Sequence, residues 1–183
     1  MNDFLYGIDW VVRGLEAVTV LLILYLSYQR VKVLFWGGKA DINTPSDALL
    51  HSSFLCAFTV LFFHFISWGI SRYILALDME VMARRQLFFF MMFMIEFLFI
   101  ISLFTLHKIR RCSFSKVAIY CLMLGLALEL LIVIELVLYG VFDISGFNLV
   151  YQSLVPVINI ITLSLIIAYP VRHIRNKRMK AYG

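Results

Sequence analysis

Five runs of about twenty apolar residues, near positions 8–28, 49–72, 87–107, 117–139 and 148–169, take up most of the chain. As a helix, such a run crosses the roughly 30 Å hydrocarbon core of a bilayer. Inside lipid no water is present to bond backbone N–H and C=O groups. Each crossing segment must therefore pair its own, and a helix does so. The expected fold class is an all-α integral membrane protein, a five-transmembrane-helix bundle. One helical domain spans residues 1–170, and a basic cytosolic tail follows at 171–183. Between spans the longest stretch, about 29–47, is too short for a soluble catalytic or nucleic-acid-binding domain. Any activity must lie between the helices, on short loops, or in a partner.

Charge sets the expected orientation. With 63% hydrophobic and 15% charged residues the chain falls outside the soluble range. Its few charges are unevenly placed. Arg30, Lys32 and Lys39 follow the first run, and Lys108, Arg110, Arg111 and Lys116 the third. Arg172, Arg175, Lys177, Arg178 and Lys180 follow the fifth. Five crossings put all of these on one side, which the positive-inside bias makes the cytosol. The N-terminus is then outside, and the membrane is the plasma membrane, or the inner membrane in a Gram-negative cell. The net charge of +5 needs no nucleic-acid partner, because topology accounts for it. Interfacial aromatics agree: Tyr6, Trp10, Trp68, Tyr73, Tyr139 and Tyr151 toward the outside, Tyr25, Tyr28, Trp36, Tyr120 and Tyr169 toward the cytosol.

Smaller signals fill in the loops. Asp3 and Asp9 stand where a signal peptide would be basic, so the first run reads as a retained helix. Residues 31–36 read as a segment lying along the inner surface. Asn43-Thr44-Pro45-Ser46-Asp47 reads as a turn and helix cap opening the second span. Cys56, Cys112 and Cys121 fall in or near the reducing side, without CxxC or Cys/His spacing, so neither a disulfide nor thiol chemistry is expected.

Ionisable residues within the spans are the candidates for function, since they are costly in lipid and usually face protein or a wet cavity. Glu16, His64, Glu96 and Glu129 each lie roughly 12–16 Å from the outer end of their helix, at 1.5 Å per residue. Asn159 reaches a similar depth, and Glu135 lies nearer the outer surface. Asp9, Arg13 and Glu16 share one helix face, so Arg13 can pair with either carboxylate. Gln152 and Asn159 share a face of the fifth span, with Pro156 between them. Glu129 and Glu135 point about 120° apart, which places the fourth span centrally.

Four glutamates against one Arg and one His cannot all be ionised and paired. The layer is therefore expected to carry protons or to bind a cation. The ligand- or ion-binding set is Glu16, His64, Glu96, Glu129 and Asn159, with Arg13, Glu135 and Gln152 as secondary polar residues. Haem is not expected, because His64 is the only deep histidine. No metal is firmly indicated, and no cofactor is expected. The same groups also fit a bland role, as hydrogen-bonding glue between helices.

The reading is thus a small transport, channel or sensing subunit that binds a proton, a cation or a polar small ligand. An alternative is a membrane anchor for a cytosolic partner, for example in a stress or phage-defence system. Its docking face, or a lipid-facing one, would be Lys108, Arg110, Arg111, Arg172, Arg175, Lys177 and Arg178. A third reading, an intramembrane enzyme, finds no catalytic motif. A homo-oligomer is compatible with so thin a bundle.

Overall fold

The structure is a computed structural model. It describes the backbone of residues 3–37 and 42–182, and side chains except those of 3–6, 177, 178 and 180–182. Tyr6, Lys39, Lys177, Arg178 and Lys180 therefore lie outside the described side chains. The chain is 89% helical, with no strand among the described residues.

The helices are α1 (Asp3–Leu26), α2 (Val31–Trp36), α3 (Pro45–Leu75), α4 (Val81–Arg110), α5 (Lys116–Glu135) and α6 (Asn148–Tyr182). A π-helical stretch, Leu136–Val141, prolongs α5. Pro45–Leu75, Val81–Arg110, Lys116–Val141 and Ser145–Asn176 are each long and apolar enough to cross a membrane. A fifth span arises if Gly7–Leu26 and Tyr28–Trp36, bent by 83° from each other, are counted together. The reason Gly7–Leu26 falls short alone is the three charges within it, Asp9, Arg13 and Glu16. Four or five crossing helices make this a multi-pass membrane fold.

Each long helix packs on its neighbour in sequence, and α6 closes the ring against α1. The centre belongs to α3, which also touches α5 and α6. Within its most apolar stretch 56% of residues are buried, against 22–28% in the other three apolar helices. The sequence expectation that α5 is central is therefore wrong. Small side chains explain the difference. Ser52, Ser53, Cys56, Ala57 and Thr59 are all buried on α3, and they let neighbouring helices come close.

At one end, called the basic end below, lie α2, the 111–115 loop and the last turns of α6. The sharp turn after α1 lays α2 across this end, with Trp36 90% exposed. Arg110 at the end of α4 donates to Phe35 O and, at 3.2 Å, to Val33 O, so α2 is tied to α4. Arg30 pairs with Asp47, and Thr44 with Asp47 forms a capping box at the start of α3. Residues 171–182 continue α6 as helix. At the far end Arg85 bonds Asp143 at 2.5 Å and lies over the Tyr139 ring, joining the start of α4 to the end of α5.

Cys112, in the loop after α4, is 7% exposed, and burial pushes its thiol up from the ordinary value. Only the thiolate reacts quickly with maleimide. Folded protein in mild detergent is expected to leave Cys112 unlabelled near neutral pH and to label it after denaturation. Mass spectrometry of the peptide containing it checks this, and rapid labelling of the folded protein would contradict it.

Candidate functional site

The apolar core divides into two clusters. The larger runs toward the basic end through Phe54, Val60, Phe99, Leu103 and Ile166. The smaller holds Met92, Ile95 and Ile132. Between them is a small cavity with about 40 Å³ of room for the centres of water-sized molecules. One water needs about 10–15 Å³ on that measure, so the cavity holds a few waters or one small ion. His64 and Ser67 of α3, Glu96 of α4, Gly125 of α5, and Asn159 and Thr162 of α6 supply its polar and close-packed wall.

Glu16 of α1 stands behind this wall. It is fully buried, and the Nδ1–H of His64 donates to its Oε2 at 2.8 Å. Its Oε1 also lies 2.8 Å from the same nitrogen but makes no further hydrogen bond among the described residues. Three helices thus place Glu16, His64 and Glu96 in or directly against one small cavity. Position 125 is what admits Glu96. A Cβ added there would stand 3.0 Å from Glu96 Oε1 and 3.0 Å from the Phe99 ring. A glycine on α5 lets the carboxyl group of α4 lie directly on the neighbouring helix.

The other deep carboxylates are placed differently. Glu129 does not line the cavity, and its Oε2 is buried without a partner. It remains near enough to Glu96 to act on it electrostatically. Glu135 is fully buried where α5 passes into its π-helical stretch, and neither oxygen has a partner. Arg13 does not pair with Glu16: its Nη2 binds Asp9 instead. Four residues of helix bring Arg13 over Asp9, while His64 from α3 takes Glu16.

Toward the far end a second, wider cavity of about 210 Å³ adjoins the first. Asp9, Arg13, Trp68, Tyr151, Gln152 and Pro156 line it, and it shares Ser67 and Asn159 with the inner cavity. The stripe His64, Ser67, Trp68 and Ser71 on α3 therefore faces both spaces in turn.

Sequence reasoning passed over one constellation. At the basic end His107 donates from Nδ1 to Leu103 O at 2.8 Å, which leaves Nε2 to accept from the Ser52 hydroxyl at 2.9 Å. Ser52 Oγ in turn accepts from the Ser115 N–H at 2.9 Å, and the His107 ring stacks on Phe114 at 4.2 Å. A hydroxyl against an imidazole has the makings of a nucleophile and base. Ser52 is wholly buried, however, and its oxygen is occupied by the Ser115 N–H. The arrangement holds α3, α4 and the start of α5 together. The signal available in sequence was Ser52 sitting among small residues, not any spacing to His107.

Of the residues expected to form a docking face, Lys108, Arg111, Arg172 and Arg175 are exposed. Arg110 is engaged with α2, which removes it from a free docking face. Among the described residues no group of three or more His, Cys, Asp or Glu is placed to hold a metal ion.

No protein-family model, curated protein or solved structure matches this chain. The functional reading rests on the geometry.

Proposed function

We propose that this chain is a five-span plasma-membrane protein with its N-terminus outside and its C-terminus in the cytosol. It acts as a small transport, channel or sensing subunit that exchanges a proton or small cation in the layer formed by Glu16, His64, Glu96 and Asn159. The observation that carries this reading is the inner cavity. Glu96 and His64 face one small polar space, with Glu16 hydrogen-bonded behind His64. A space of about 40 Å³ suits a proton carried on water, or a bare small cation, better than a larger polar ligand. Costly groups gathered on one cavity are functional candidates before they are glue. The uneven basic residues support the orientation.

The test is proton and monovalent-cation flux into liposomes. Glu96→Gln keeps the shape and removes the exchangeable charge, so flux is expected to fall about a hundredfold, the scale on which one positioned proton-transfer group acts. Glu129→Gln, outside the cavity wall, is expected to cost less. A sensing subunit passes no flux. Its signature is a carboxyl infrared band that responds to pH and is lost in Glu96→Gln. Unchanged flux and an unchanged carboxyl band in Glu96→Gln would sink the proposal.

A second reading, an anchor for a cytosolic protein, draws on the exposed Lys108, Arg111, Arg172 and Arg175. Charge reversal at these four should then release a co-purifying protein while leaving liposome flux untouched.

A further inference from the structure

We infer that the wider, far-end cavity is a binding site for a small organic carboxylate with an apolar body, held by Arg13 and Trp68. Arg13 is 5% exposed and uses Nη2 on Asp9. Its Nε and Nη1, and the Nε1 of Trp68, are buried without a hydrogen-bond partner. Three unmet donors on two residues that line the cavity are costly, and each calls for an acceptor. The nearby hydroxyls do not supply the missing contacts. Ser67 and Ser71 donate to the carbonyls of His64 and Trp68 on their own helix.

The guanidinium is also oriented. Its carbon lies 5.7 Å from the ring centres of both Trp10 and Trp68, so the two indoles flank it. Asp9 shows which chemistry the guanidinium N–H groups accept: a carboxylate is already seated on one of them. Its side chain is 32% exposed, so it can give way to a carboxylate from outside.

The rest of the wall sets the body of the ligand. Ile8, Val12, Phe88, Met92 and Val155 are apolar, which disfavours a hydrated inorganic anion. On the measure used for the inner cavity, this one offers roughly five times the room, enough for a body the size of one aromatic ring. Glu16, His64 and Glu96 do not line this cavity, so the site stands whether or not they exchange protons.

The test uses purified protein in nanodiscs, calorimetry, benzoate as the probe and benzamide as its uncharged counterpart. Benzoate is expected to bind saturably and one to one, and benzamide not at all. Asp9→Asn should tighten benzoate about tenfold, the order expected when a charge-assisted competitor is removed. Trp68→Phe, which keeps the ring and loses the N–H, should weaken it severalfold. Arg13→Gln should abolish binding. If Arg13→Gln does not fold, Asp9→Asn and Trp68→Phe decide the matter alone. The proposal is overturned if neither wild type nor Asp9→Asn binds benzoate, if benzamide binds equally well, or if Asp9→Asn weakens binding.

Discussion

His64→Leu is expected to destabilise the protein by about 1–3 kcal/mol, the usual cost of leaving one buried polar group unsatisfied. Glu16 is fully buried, and His64 is its sole hydrogen-bond partner among the described residues. Leucine fills the space but leaves the carboxyl group with nothing to bond. The double variant Glu16→Leu/His64→Leu should recover most of the loss, because apolar groups in both places leave no polar atom stranded. His64→Gln, which keeps a donor, should fall between wild type and His64→Leu. Denaturant titration of the detergent-solubilised protein measures all of these. Equal stability of His64→Leu and wild type would show that the pair contributes nothing to folding.

Ser52→Ala is expected to cost about 2–6 kcal/mol, because it strands two buried groups at roughly 1–3 kcal/mol each. These are the acceptor nitrogen of His107 and the N–H of Ser115. The neighbouring Ser53 makes a direct control. It is buried just as deeply, but its hydroxyl has no partner, so Ser53→Ala removes a cost and should be neutral or stabilising. The same titration reads both variants. A larger loss in Ser53→Ala than in Ser52→Ala would refute the assignment of the polar lock.

The crossing helices were legible because a bilayer imposes length and apolarity on each segment separately. So were α2 and the Thr44–Asp47 cap, both built from neighbouring residues. Choice of partner was not. Arg13 has carboxylates four residues before and three residues after it, and periodicity offers both. The choice falls to Asp9 because a residue 48 positions away, His64, takes Glu16. The central helix was misjudged because weight was given to two glutamates on α5 rather than to the small residues on α3. Gly125 carried no visible signal either. Its lack of a side chain matters only against Glu96 and Phe99, which come from another helix.

The pairing of Glu16 with His64 bears on how such a chain enters a membrane during synthesis. Three charged residues make α1 the poorest candidate for insertion by itself. Its partner His64 and the cover of Trp68 both come from α3, the next long helix to be made. Once α1 and α3 lie side by side as a hairpin, Glu16 and Arg13 each have a neighbour, before α4, α5 or α6 exists. Asn159 and Thr162, the last wall of the inner cavity, arrive only with α6. The inner cavity therefore lacks its α6 wall until the ring closes, whereas an α1–α3 hairpin by itself would already give Glu16 and Arg13 their neighbours.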